Sequence, residues 1–264
     1  MSTLLTVLTA LVFGPHPPIL VPELAAGASG DLDELREACS EAVSRLVTSG
    51  AELVCVVGGA ERTQWYHESA SGSLAQYGVP MTVTLGSGPV NPGAALGPSH
   101  PAGTGAEPAE LPLSLTIGAW LLIGCPLPRV GVGVGPDTDD EQCRVIAARA
   151  ADPRPPVRLA DPGTRVGLLV MGDGSACRSV RAPGYLDPRA ASFDRAVARA
   201  LGAGDAAGLS GLDPTLGRDL LAAGVPAWRV AGRAAAGLPI TAELLYEAAP
   251  FGVGYLVASW VVGP

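Results

Sequence analysis

Four short segments of this chain hold residue types that can do chemistry. Gly14-Pro15-His16-Pro17-Pro18 sets one imidazole among three prolines that restrict the backbone around it. An imidazole held in this way can bind a divalent metal or move a proton. The plainer alternative is a structural turn with a half-exposed histidine. Gly172-Asp173-Gly174-Ser175-Ala176-Cys177-Arg178 is the second segment. Asp173 offers a base or a metal ligand. The small residues leave backbone amides open to an anion, with Arg178 and Arg181 close by in sequence. Cys177 beside Arg178 is a candidate for a lowered pKa and a reactive thiolate, and with His16 it would form a thiolate–imidazole pair. The alternative here is a tight turn with a satisfied aspartate. In the third segment, residues 182–189, Tyr185 could face a pocket, while Asp187-Pro188 reads as N-cap and first residue of a helix. In the fourth, residues 247–255, Glu247 is a possible site carboxylate or a solvated surface residue.

These segments need elements to position them. Leu4–Phe13 is apolar apart from two threonines and stops at Gly14-Pro15, as a buried strand does. Residues 31–49 repeat apolar side chains at helical spacing, with acidic residues at the start and Gly50 after the end. Leu53–Val57 is a second buried strand. This order predicts a parallel pair joined by a right-handed crossover. Further strands are expected at Val79–Leu85, Val130–Val134, Val166–Met171 and Val253–Val262. Helices are expected at Asp137–Ala151, Ala190–Leu201 and Asp213–Ala223. Leu113–Cys125 could be either, with Trp120 inside. Residues 86–112 read as a long surface loop. His16 and Asp173 thus follow strands directly, where α/β sheets usually bind ligands.

Several lookalikes fall away. Gly131, Gly133 and Gly135 alternate after a strand, but the acidic residues from Asp137 onward would repel a pyrophosphate. No G-x-S-x-G elbow is present. His67 and His100 have no second histidine at helical spacing.

Composition narrows the function classes. With 48% hydrophobic and 16% charged residues, the 264-residue chain is globular, and no composition break divides residues 1–264 into two domains. All 17 basic residues are arginine, which excludes a lysine Schiff base and a P-loop lysine. A net charge of −8 disfavours nucleic acid and anionic membranes as partners. The five cysteines contain no C-x-x-C pair, and no basic residue precedes Arg36, so a cytoplasmic location is expected.

Three stretches carry a resemblance: LVFGPHPPILVPELA (11–25), LLVMGDGSACRSVRAPGYLDPRAASFDRAVARAL (168–201) and LLYEAAPFGVGYLVASW (244–260). In order and spacing they resemble the class III extradiol ring-cleavage dioxygenase superfamily, in its actinobacterial branch. The resemblance implies a three-layer α/β/α fold with a central, mostly parallel mixed sheet. It also implies a non-haem Fe(II) or another divalent metal at the strand ends, a small aromatic or acidic ligand, and a homodimer or larger assembly. His16 matches the first metal-binding histidine. The second would follow the next strand, where Val57-Gly58-Gly59-Ala60-Glu61 has none and Glu61 is the nearest donor. The catalytic histidine falls at Ser175-Ala176-Cys177, and a third ligand would lie near residues 222–228, which are apolar. Two functional expectations follow. One is a metal-dependent enzyme using His16, Glu61, Asp173 and Glu247, a set suited to Mg, Mn or Fe(II). The other is a non-catalytic protein on the same fold that binds a small acid or serves as a scaffold.

Overall fold

The computed structural model describes residues 8–25, 30–86, 89–90, 109–151 and 163–263. In chain order the elements are β1 (Leu8–Gly14), α1 (Pro22–Ala25), α2 (Asp33–Thr48), β2 (Leu53–Gly59), β3 (Gln64–Tyr66), β4 (Ser71–Ser73), β5 (Thr82–Thr84), β6 (Pro89–Val90), α3 (Leu113–Leu121), β7 (Arg129–Val134), α4 (Asp140–Ala151), β8 (Val166–Met171), α5 (Ala190–Ala203), α6 (Ala206–Ser210), α7 (Pro214–Asp219), α8 (Val225–Ala234), β9 (Ile240–Ala248) and β10 (Tyr255–Val262).

Seven strands form one sheet in the order β3-β7-β2-β8-β1-β10-β9, and β4-β5-β6 form a small second sheet. The four central strands β7, β2, β8 and β1 are parallel. β3, β10 and β9 are antiparallel to their neighbours. The side-chain period of two explains the layers. In β2, Leu53, Cys55 and Val57 face one core while Val54 and Val56 face the other. In β8, Val166, Leu168 and Val170 oppose Leu169 and Met171. The first core is closed by α4, α5 and α8, the second by α2 and α3. The result is the expected three-layer α/β/α fold with a mostly parallel mixed sheet. Among the described residues no helix is long and apolar enough to cross a membrane.

Some elements differ from the sequence expectation. β1 and β2 are parallel but not adjacent, because β8 lies between them and pairs with both. The ambiguous Leu113–Cys125 is a helix, and Trp120 is only half-buried there. The strand expected at Val79–Leu85 shrinks to β5. The helix expected at 213–223 is the short α7, capped by Asp213, whose carboxylate accepts the Thr215 N–H. Asp187 does not cap α5. Its carboxylate accepts the Arg189 N–H instead, and the helix starts at Ala190. α8 and β9 were not anticipated. Residues 1–7 and most of the expected 86–112 loop lie outside the described residues.

One buried charge ties the layers together. Arg129 opens β7 and is 2% exposed, and among the described residues it makes no ion pair. Its guanidinium donates to the carbonyls of Leu85 (3.1 Å), Leu122 (2.7 Å) and Cys125 (2.6 Å). Leu122 and Cys125 lie at the carboxyl end of α3, where unpaired carbonyls carry partial negative charge. Burial lowers the Arg129 pKa, and the carbonyls offset that cost. Arg129→Ala strands those acceptors and is expected to lower stability by about 3 kcal/mol in urea unfolding. Arg129→Lys recovers only part of the loss, because an ammonium cannot span three carbonyls as a planar fork does.

Candidate functional site

Because β1, β2, β7 and β8 run parallel, their carboxyl ends share one edge of the sheet, and antiparallel β10 brings its amino end there. His16, Glu61 and Asp173 each follow one of these strands by two residues. β1 and β8 are neighbours, which sets His16 against Asp173.

Asp173 holds His16 through the main chain. The His16 N–H donates to Asp173 Oδ1 at 2.8 Å, and His16 Nδ1 lies 3.7 Å from the same oxygen. His16 is 7% exposed. Its Nδ1 is sealed from solvent and makes no hydrogen bond. Any ligand the imidazole meets from the open side is therefore met through Nε2. Tyr255 is also near Asp173. Burial pushes its phenol above the ordinary tyrosine range, and the Asp173 charge adds to the effect.

The loop that carries Asp173 is fixed by a carboxylate that the sequence motifs do not single out. Asp194 lies on α5 and is 1% exposed. Its Oδ1 accepts the Ser175 N–H at 2.7 Å. Its Oδ2 accepts the Ser175 hydroxyl and an Arg178 N–H, both at 2.8 Å. Gly174 and Gly254 flank it closely: a Cβ on either would lie 2.8 Å and 2.5 Å from the Asp194 oxygens. An acidic residue on the apolar face of α5, among Phe193, Val197, Ala198 and Leu201, is the sequence signal that could have revealed it.

This arrangement corrects three expectations. The amides of residues 172–178 do not form an anion nest. Those of Gly172, Gly174, Ala176 and Arg178 bond to the carbonyls of Gly14, Gly254, Leu220 and Gly252, and that of Ser175 to Asp194. Arg178 is paired with Asp194, and Arg181 points into solvent, so neither converges with His16 on a small acid. Cys177 is not set as a reactive thiolate would be. It is buried, and its Sγ lies 3.4 Å from the Leu220 carbonyl and 3.6 Å from that of Gly184. Burial pushes the thiol up, and Asp187 and Asp194 push it further against the opposing Arg189.

The structure brings His16 and Glu61 to one cleft of about 620 Å3, which is also lined by Arg62, Gln64, Tyr66 and Glu110. Arg62 is exposed and in no ion pair among the described residues. Sequence reasoning missed Arg62, Gln64 and Tyr66, since nothing in their spacing marks β3 as a sheet-edge strand. Glu61 sits exposed on a ridge with Gly59 and Ala60, and a second cleft of about 520 Å3 opens on the far side. That wall is apolar: Pro136, Pro214, Leu221, Ala222, Ala223, Val225 and Pro226, with Arg218 and Arg229 at its edge. Glu247 is not part of either cleft. It is exposed on β9 and faces α5 beside Arg195 and Arg199. His67 is exposed, and His100 lies outside the described residues.

A facial-triad iron needs three donors converging on one point. His16 offers Nε2. The Oδ1 of Asp173 already accepts the His16 N–H. Glu61 stands at the exposed ridge and Glu247 at another face. Among the described residues no group of three or more His, Cys, Asp or Glu side chains is placed to hold a metal ion. The residues present do not fit the iron that the sequence resemblance implies.

The fold and the site define a three-layer α/β protein with a polar cleft at the carboxyl edge of its sheet. No family model matches the chain, and no curated protein matches it. Among solved structures it is similar to an uncharacterized protein, JW3007, from Escherichia coli K12. That match has 13% identity, covers 96% of this chain and 99% of that one, and has a TM-score of 0.43.

Two measurements check the site. Asp194→Asn keeps the shape but removes the charge that Arg178 and Ser175 meet, so stability should fall by about 2–3 kcal/mol in urea unfolding. A loss below about 0.5 kcal/mol would contradict the anchoring role. Cys177 should react with iodoacetamide at pH 8 only at the rate of unfolding. The same burial pushes Cys39 and Cys55 up to about 12. Their folded-state pKa values exceed the unfolded one, so the stability they contribute is complete below roughly pH 8.5 and is lost as pH rises towards 12. The thermal midpoint should therefore show no thiol-linked change between pH 6 and 8 and a decline above about pH 9.

Proposed function

We propose that this chain is a class III extradiol dioxygenase-like protein that has kept the cleft at the sheet edge and lost the iron centre. On this reading it binds a small aromatic or acidic molecule and does not cleave rings with O₂. The family reading rests on the three resembling stretches, 11–25, 168–201 and 244–260. The functional reading rests on one observation. His16 keeps its place beside the cleft, with Nδ1 sealed next to Asp173, while among the described residues no group of three metal donors forms around it. An imidazole set this way serves as a hydrogen-bonding wall for a polar ligand. Arg62, between the carboxylates of Glu61 and Glu110 in the same lining, is the cation with which an acidic group of the ligand would pair.

The test is made on anaerobically purified protein, with metal quantified by mass spectrometry before and after loading with Fe(II), Mn and Zn. 3,4-Dihydroxybenzoate then serves as a probe ligand in calorimetry. The expected result is substoichiometric metal, no O₂ uptake, and saturable binding that weakens roughly tenfold in His16→Ala, the loss of one hydrogen bond that Nε2 accepts from a probe hydroxyl. Stoichiometric metal that disappears in His16→Ala, together with O₂ uptake on the probe, would overturn the reading.

A further inference from the structure

The first turn of α3 carries backbone donors with nothing to meet. Pro112 stands at its N-cap position and offers no side-chain acceptor. The Ser114 hydroxyl does not cap the helix either. It donates to the Gly59 carbonyl at 2.7 Å and so fixes the start of α3 against the end of β2. The first N–H to reach a carbonyl is that of Thr116, which donates to Pro112 at 2.9 Å. Among the described residues no acceptor meets the N–H groups of Leu113, Ser114 and Leu115. Ser114 is 1% exposed and Leu115 is fully buried. Buried amides are paired in nearly every folded protein, so donors left over side by side mark a place where water or a ligand supplies the acceptor. The helix dipole adds partial positive charge at the same point.

This end of α3 opens into the His16 cleft. Pro112, Leu113 and Ser114 line it together with His16. His16 is the second, independent observation. It is 7% exposed, and its side chain makes no hydrogen bond among the described residues. Its Nδ1 is sealed beside Asp173, so Nε2 is the nitrogen on the open side. One wall of the cleft thus carries a base and another carries hydrogen-bond donors. Net charge does not select an anion here, because Glu61 and Glu110 outnumber Arg62 in the same lining. Donors without net positive charge suit the oxygen of a neutral carbonyl, and they suit it better as that oxygen gains charge. A C–H next to such a carbonyl is what a base across a small cleft can reach.

We propose that the His16 cleft is a metal-free proton-transfer site for a small neutral carbonyl compound, such as an aryl ketone, with an acidic C–H beside the carbonyl. His16 Nε2 takes that proton. The C–H electron pair becomes the second bond of the enolate C=C, and the carbonyl π pair moves onto oxygen, where the N–H groups of Leu113 and Ser114 meet it. The imidazolium then returns a proton to carbon, after exchange with solvent, or to oxygen. The product is the exchanged ketone or its enol, and no oxidant or cofactor is consumed. The inference rests on the ligand-binding reading of this cleft and adds to it a substrate class and a reaction.

The experiment incubates phenylacetone with the protein in D₂O at neutral pD and follows the loss of its α-proton signals by ¹H NMR. Wild-type protein should exchange them at least about a hundredfold faster than protein-free buffer. His16→Ala and His16→Gln should both fall to the buffer rate, while His67→Gln, outside the cleft lining, should match wild type. Proline suits the first helical position, and the extended backbone of Pro112 (ψ 159°) suits a following proline. Leu113→Pro therefore deletes one donor and keeps the helix. It should slow exchange at least about tenfold, whereas Leu113→Ala, which keeps the N–H, should stay within about twofold of wild type. In a ¹H–¹⁵N spectrum the amide signals of Leu113 and Ser114 should shift when phenylacetone is added. Exchange at the buffer rate in wild-type protein, or exchange that survives both His16 variants, would overturn the proposal. Equal rates in Leu113→Pro and Leu113→Ala, or amide signals that stay in place, would overturn the role given to α3. Either failure with 3,4-dihydroxybenzoate still bound in calorimetry would leave the ligand-binding reading standing. Failure of that binding as well would overturn both.

Discussion

A carboxylate taken out of water must be met on every side, and in this protein Asp194 is met by Ser175 and Arg178. Its position on α5 is set by the apolar contacts of that helix. The loop after β8 therefore has no freedom to drift relative to the helical layer. Gly174 and Gly254 allow the chain to close around the carboxylate with no Cβ in the way. The loop in turn delivers Asp173 to the main chain of His16, and so the orientation of an imidazole at the sheet edge depends on a charge buried behind it.

The same loop explains why Cys177, Arg178 and the backbone amides of residues 172–178 are turned away from the cleft. Satisfying Asp194 turns Arg178 away from the cleft, and closing the loop consumes its amides on neighbouring carbonyls. Cys177 is swept into the core, where burial pushes its thiol pKa up. What faces the cleft is one imidazole nitrogen, an arginine just before the outer strand, the Glu110 carboxylate, and the ridge at Gly59–Glu61 dividing a polar hollow from an apolar one.

Much of the fold was legible because the parallel core strands are short apolar runs ended by glycine, as at Leu53–Gly59 and Val166–Gly172, and α2 and α5 carry clear helical periodicity. β9 was hidden because its side chains are mostly half-exposed on a sheet edge, with Glu243 and Glu247 breaking the apolar signal. α8 was hidden by Gly224 and Pro226 at its start. Strand order was out of reach: nothing in β1 or β2 announces that β8 will come between them. Of the site, the pairing of His16 with Asp173 could be suspected because both follow strands. Arg62, Tyr66 and Asp194 reach their roles only through tertiary packing, and the apolar lip at Leu221 depends on a backbone angle that residue type argues against.

The account turns on Asp173 setting the state of His16, and that state can be read directly from the imidazole nitrogens. The measurement is a long-range ¹H–¹⁵N NMR correlation on selectively labelled protein, with His67 and His100 replaced by glutamine so that one imidazole remains. The Asp173 carboxylate, 3.7 Å from Nδ1, should favour by its charge the Nδ1–H tautomer of the neutral ring, leaving Nε2 bare towards the cleft. The account predicts that this signature is present in the native protein and lost in Asp173→Ala. A predominantly Nε2–H tautomer in the native protein, or a signature indifferent to Asp173, would contradict it.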